Sequence, residues 1–221
     1  ATDLLSEVDS DVCAKLLLCM KDHSRALALL SQMDAGSAGS VFEELSKMEG
    51  FTYLMEGLEP RVAARVLETM NTSVAGRMMK ALDVKYGAVV MNEMDAMKCG
   101  ILMERMEGPA VAAVLMAMSS KDAAKVIGSM NVGTLLPILD NMKVASVAGC
   151  FDHIACESCC KILAACTPAQ MADWVGAMTL RVAVRLFEAM KPPVVCAALE
   201  LMPAAKASPI VQGMKVEGAA L

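Results

Sequence analysis

The chain is poor in the residues that usually carry chemistry. Aromatics make up 3% of its 221 residues, and its histidines are two, His23 and His153. A β-sandwich favours aromatic and β-branched residues, so a core of Ala, Val, Leu and Met points to packed helices instead. Neither a Ser/His/Asp nor a Cys/His arrangement has a third group to orient a base, and no Gly-rich phosphate loop follows a strand. No catalysis and no cofactor are therefore expected. Lys and Arg number 20 against 25 Asp and Glu, a net charge of −5. That leaves no basic footprint for nucleic acid and no polybasic membrane patch. No run approaches ~18 uninterrupted apolar residues, so the chain has no transmembrane helix of its own. The nine Cys are odd in number and cannot all pair internally. The first residue is Ala1 rather than Met, as expected of a removed leader or a trimmed end.

What the sequence does have is a repeat. Counting by twelve from Leu58 gives Met70, Leu82, Met94, Met106, Met118, Met130, Met142, Ile154, Cys166, Met178, Met190, Met202 and Met214, all apolar. With that anchor as position 12, seventeen units cover residues 9–214, with single-residue insertions at Lys21 and Ser46. Residues 1–8 and 215–221 are expected as an N-terminal cap and a C-terminal tail around one helical-repeat domain.

Positions 8 and 9 are apolar throughout, as in Val66-Leu67, Val114-Leu115 and Leu186-Phe187. Positions 5 and 6 are mostly small, as in Ala63-Ala64 and Ala123-Ala124. Positions 5, 8, 9 and 12 fall at i, i+3, i+4 and i+7, one face of an α-helix. Twelve residues are about 3.3 turns, so one continuous helix would rotate the anchor by a third of a circle per unit. The helix must break in every unit. N-cap residues recur at position 1: Asp22, Asp34, Asn71, Asp83, Asp95, Ser119, Asn131, Thr167 and Thr179. Prolines sit just inside helix starts at Pro60, Pro109, Pro168, Pro192 and Pro193. The expectation is an all-α solenoid of about seventeen short helices, each of roughly eight or nine residues. Pro137 and Pro209, at position 7, should shorten or kink their helices.

The outer side is patterned too. Position 7 is often basic (Arg65, Arg77, Lys125, Lys161, Arg185) and position 10 often acidic (Glu56, Glu68, Asp140, Asp152, Glu188). This reads as a solvated face with i,i+3 pairs such as Arg65/Glu68, each worth about 0.2–0.5 kcal/mol.

Phrases such as Ala63-Ala64-Arg65-Val66-Leu67-Glu68-Thr69-Met70 and Ala123-Ala124-Lys125-Val126-Ile127 resemble the soluble N-terminal domain of MgtE-type magnesium transporters. They also resemble the related middle domain of the flagellar switch protein FliG. The resemblance covers nearly the whole chain and implies a right-handed superhelix of short helices. No nucleotide-binding-like pair or membrane domain follows in this chain, so transport is not expected of it. In composition and in Ala1 the chain also resembles soluble linker subunits of algal photosystem–antenna complexes.

Two sets of side chains stand out. Cys150, His153, Cys156 and Cys159 are spaced by three, which suggests soft-metal ligation. The repeat opposes this: Cys150, Cys159 and Cys166 occupy core positions, Cys160 and Cys196 the small position 6, and His153 an outer one. Free Cys behaves there as a small hydrophobe, so no metal site is expected. Cys156, in a turn, is expected as an exposed thiol or a disulfide partner, and Trp174, at position 8, as core.

The second set is Tyr86, Val89, Met97, Ile101 and Met116, apolar residues outside the core positions of units 83–118. An apolar outer face marks an interaction site. The expected role is a non-enzymatic linker binding subunits of a larger, membrane-embedded assembly. A plastid photosystem–antenna complex, with the chain peripheral to the thylakoid, is the specific expectation; otherwise the chain is expected to be soluble and cytoplasmic. The alternative, implied by the transporter resemblance, is a Mg²⁺-responsive regulatory domain.

Overall fold

Eight of the helices begin where a residue expected as an N-cap supplies one. Asp22, Asp34, Asn71, Asp83, Asp95, Ser119, Asn131 and Thr167 accept hydrogen bonds from backbone N–H groups of the turn that follows. Thr167 completes a capping box with Gln170. Thr179 is the exception. Its hydroxyl donates instead to Asp152 Oδ1 at 3.1 Å, and its own helix has no side-chain cap.

A computed structural model of the chain describes residues 8–48 and 50–214. Apart from Val8, the expected terminal segments 1–8 and 215–221 lie outside the described residues. Among those residues there are seventeen α-helices and no strand. They fall into two compact units, Ala1–Met118 and Ser119–Leu221, divided at a junction between repeats. The first holds α1 (Ser10–Cys19), α2 (His23–Gln32), α3 (Ala35–Leu45), α4 (Thr52–Glu56), α5 (Pro60–Thr69), α6 (Thr72–Ala81), α7 (Val84–Glu93), α8 (Ala96–Met103) and α9 (Gly108–Ala117). The second holds α10 (Ser120–Ser129), α11 (Val132–Leu139), α12 (Val144–Phe151), α13 (Cys156–Ala165), α14 (Pro168–Val175), α15 (Leu180–Ala189), α16 (Pro192–Leu201) and α17 (Ala204–Gly213). Most run ten residues, slightly longer than expected, because the cap sits at position 1 and helix geometry extends to position 11.

The anchors stand just beyond the helices rather than on their faces. Met70 (φ −72°, ψ 160°) and Met130 (φ −80°, ψ 154°) are extended C-cap residues. The next residues, Asn71 (φ −57°, ψ 125°) and Asn131 (φ −68°, ψ 132°), are extended as well. Two extended residues thus join successive helices. The anchor side chains are still buried, at 6% exposure for Met70 and 7% for Met130.

Helices pack mainly on the next but one. In the first unit α1, α3, α5, α7 and α9 form one row, and α2 with α4 and α6 with α8 form pairs alongside. In the second, α10, α12, α14 and α16 form one row and α11, α13, α15 and α17 the other. Positions 5, 6, 8 and 9 supply the core, for example Ala63, Ala64, Val66 and Leu67 on α5. A full-length burial of a Val, Leu or Met contributes about 1.5–3 kcal/mol, and a ten-residue helix needs several, being marginal alone. Position 6 is small because the helix two ahead lies on it. A Cβ built on Gly76 would meet the Met106 side chain at 3.5 Å, and one on Gly39 would meet Thr69 Oγ1 at 2.5 Å.

A second set of links joins several helices to the third one on. Glu56 Oε1 accepts from the Asp83 N–H at 2.8 Å, and Glu68 Oε1 from the Asp95 N–H at 2.9 Å. Glu43 does the same for Asn71, and Asp152 for Thr179 at 3.2 Å. The Asp83 and Asp95 side chains meanwhile hold their own helix starts. Where position 10 is basic the partner is acidic: Lys80 meets Glu107 at 2.7 Å. Glu68 therefore faces α8, where Lys98 also binds it at 2.9 Å, and not Arg65 as its i,i+3 spacing suggested. Contacts at two and at three helices mean that the axes return to neighbouring positions after two to three helices.

The insertions and prolines act locally. Beyond Ser46, Gly50 adopts φ +88°, the positive φ among the described residues, and α4 shrinks to five residues. Pro137 lies within the eight-residue α11, as expected. Pro209 lies within the ten-residue α17 and does not break it. Trp174 is buried, edge-on to Phe151 with ring centroids 5.9 Å apart.

Two glycines separate packing from propensity. At Gly128 a Cβ would meet nothing within 4 Å, so Gly128→Ala should stabilise the fold by about 0.5–1 kcal/mol. At Gly39 the same gain is opposed by displacing Thr69 Oγ1, which hydrogen-bonds Ala35 O and Val66 O at 2.8 Å. Overpacking and a lost hydrogen bond outweigh propensity there, so Gly39→Ala should destabilise by about 1 kcal/mol. Urea unfolding followed by circular dichroism checks both signs.

Candidate partner surface

Position 7 points outward along the array. Arg65, Arg77, Lys125, Lys161 and Arg185 are all exposed there. On α7 and α8 the same position holds Val89 and Ile101, which are 47% and 48% exposed. Because α5 packs on α7 and α6 on α8, each row changes from Arg to an aliphatic side chain at equivalent places. Met97, on α8, is 67% exposed, and Met116, on α9 in the row of α7, is 37% exposed. Four of the five residues singled out in sequence therefore stand in solvent, Val89 and Met116 on one row and Met97 and Ile101 on the other.

Tyr86 is half-buried and points the other way. Its hydroxyl, with one proton to share, lies 2.6 Å from Met55 O at the end of α4 and 3.0 Å from Leu58 O just beyond it. It gives Leu58 O a donor and adds to the Leu58 N–H that already reaches Met55 O at 3.1 Å. Burial, with the nearby Glu56 charge second, pushes the phenol up to about 12. Tyr86 fastens the surface, whereas the other four residues form it. Beside Ile101 lies a shallow groove of about 150 Å³, floored by Leu67, Met70, Met94 and Leu102 and edged by the Glu68–Lys98 pair. That is below the roughly 300–1,000 Å³ of small-molecule pockets and suits one inserted side chain.

The cysteine and histidine series does not converge. Cys150 and Cys159 are buried, Cys156 is half-buried and His153 is exposed. Among the described residues no three His, Cys, Asp or Glu side chains are placed to hold a metal ion. Cys156 is the first residue of α13 rather than part of a turn, Cys166 is half-buried, and Cys196 is exposed at a position expected to be packed. Burial pushes the thiols of Cys99 and Cys159 up to about 12, and those of Cys150, Cys160 and Cys166 to about 11. Cys156 and Cys160 lie one turn apart on α13. Their i,i+4 spacing was present in the sequence but masked by the three-residue series around it. The carboxylate links from position 10 were likewise missed, since their 27-residue span has no local signature.

Among the described residues no helix is long and apolar enough to cross a membrane. Residues 40–131 match the family model of the MgtE intracellular N domain. The match runs from within α3 through α10. No curated protein and no solved structure matches the chain.

Removing the Tyr86 hydroxyl takes its hydrogen bond from the Met55 and Leu58 carbonyls, so Tyr86→Phe should cost about 1–2 kcal/mol at neutral pH. The phenol's pKa is raised in the folded state, so its contribution is complete below pH 10 and declines as pH rises from 10 towards 12. Wild-type stability should therefore fall over that window, and the gap to Tyr86→Phe should narrow. Denaturant titrations at stepped pH measure both.

Proposed function

We propose that this MgtE intracellular N-domain-like array is a non-enzymatic scaffold, and that Val89, Met97, Ile101 and Met116 contact its protein partner. One observation carries the reading: an outward position that is basic on α5 and α6 is aliphatic and solvent-exposed on α7 and α8. A repeat that keeps its core positions strictly apolar has no packing use for aliphatics there, and exposed apolar clusters mark interaction sites. The links from several helices to the third one on, with Tyr86 among them, hold these helices in fixed relation. A partner would then meet a preorganised surface. In the finer form of the proposal the partner is a membrane-embedded subunit, and the chain is a peripheral linker that sets the spacing of a larger assembly. A plastid photosystem–antenna supercomplex at the thylakoid is the assembly proposed, on the strength of the compositional resemblance.

The family match favours a second reading, a Mg²⁺-responsive regulatory domain. Mass action separates the two, because an ion bound by the folded state raises its melting temperature.

Native mass in mild detergent extracts tests the first reading. Co-migration with a large membrane assembly is expected, and it should be lost in Val89→Glu and Ile101→Glu chains that keep their helical signal. Migration as a lone species of the chain's own 23.3 kDa would remove the linker reading. For the second reading, millimolar Mg²⁺ should raise the melting temperature of the isolated chain, and an unchanged midpoint would remove it.

A further inference from the structure

The repeat keeps its thioethers covered, with one local exception. All 21 methionines are among the described residues, and Met97 and Met116 are the two that stand exposed; the others are buried or half-buried. Both exceptions belong to the apolar surface, on α8 and α9. Met97 is the clearer case, at 67% exposure. It occupies position 3, which is polar, small or proline in every other unit. Its N–H donates to Asp95 Oδ1 at 3.0 Å, so the start of α8 holds its backbone in place. Ile101 lies four residues on, beside it on the same helix face. The repeat needs no apolar side chain at position 3, and Leu or Ile would make the surface equally apolar. What Met adds is a thioether open to solvent.

We infer that Met97 is a site of reversible oxidation by hydrogen peroxide, with Met116 as the slower second site, and that the modification switches off the surface on which both stand. The switch rests on the partner reading of that surface; the modification does not. The sulfur lone pair of Met97 attacks one peroxide oxygen. An S–O bond forms, the O–O bond breaks, and sulfur gives up two electrons. The other oxygen leaves as hydroxide and takes the proton from the transferred one, so the products are a sulfoxide and water. The sulfoxide is polar, and reductases return it to the thioether with electrons from a dithiol. In the free chain its oxygen faces water and the core packing is untouched. Under an apolar partner the same oxygen would be buried without a donor, which opposes binding. The buried methionines are covered by neighbouring helices, so the core is spared.

The first arm of the test needs no partner. The isolated full chain is treated with limiting hydrogen peroxide and mapped by peptide mass spectrometry, which scores oxygen on the exposed thiols of Cys19 and Cys196 separately. Met97 sulfoxide is expected first and Met116 sulfoxide next, with circular dichroism unchanged and both thioethers restored by methionine sulfoxide reductase. Oxygen at Met70, Met130 or another buried methionine as early as at Met97 would overturn the site. In the second arm the oxidised chain is assayed for co-migration with the membrane assembly. Loss of co-migration that the reductase restores is expected, and Met97→Gln, which puts a polar side chain there without oxidant, should lose it too. Unchanged co-migration of the oxidised chain or of Met97→Gln would overturn the switch. An unoxidised chain that migrates alone would remove the partner reading and the switch with it, while the first arm still decides whether Met97 is a modification site.

Discussion

A helix of eight to ten residues is not stable by itself in water. Everything in this chain follows from that limit. Each helix persists because positions 5, 6, 8 and 9 are covered by neighbours, mainly the helix next but one in the same unit. Small residues at position 6 make the approach close enough, and the anchor at position 12 closes over them from beyond the helix end. Stability is then a property of neighbourhoods, and helices near the ends of the array have fewer covering partners. At the N-terminal end position 8 shows this: Leu16 on α1 is 53% exposed, while Leu54, Val66 and Met78 on later helices are buried, as is Ile210 on α17.

Apolar burial alone does not fix which helix lies where, since one Ala/Val/Leu face resembles another. The polar links supply the missing specificity. A carboxylate from position 10 reaches a backbone N–H three helices on, at a residue whose own side chain caps the helix it begins. One interaction thus sets the spacing between helices and the start of the next. The exchange of signs at Lys80 and Glu107 keeps the link while inverting its charges, so the geometry matters more than the identity of the acid. Tyr86 performs the equivalent task with a phenol, tying α7 to the end of α4.

The helices were legible in the sequence because caps, core positions and anchors are local and recur every twelve residues. Val89 and Ile101 were legible as surface because they break that recurrence. The position of the anchors was misread: i+7 suggested the helix face, but Met70 and Met130 lie in extended connectors whose backbone is not encoded by hydrophobicity. Tyr86 was grouped with the exposed residues because nothing local reveals an acceptor 28 to 31 residues earlier. Glu68 was assigned to Arg65 for the same reason, with Asp95 and Lys98 too distant in sequence to be noticed.

Where the anchor is itself the extended C-cap, as at Met70 and Met130, the connector is two extended L-residues and needs no glycine. A module bounded in this way can be copied head to tail without redesigning its joints, so such a chain can lengthen by duplication in steps of twelve. Departures from that quantum are penalised locally. One extra residue at Ser46 is accompanied by a left-handed Gly50 and a helix cut to half length. Change in the length of this protein is therefore expected to be quantised, with whole turns of the array gained or lost while the interior of each module drifts.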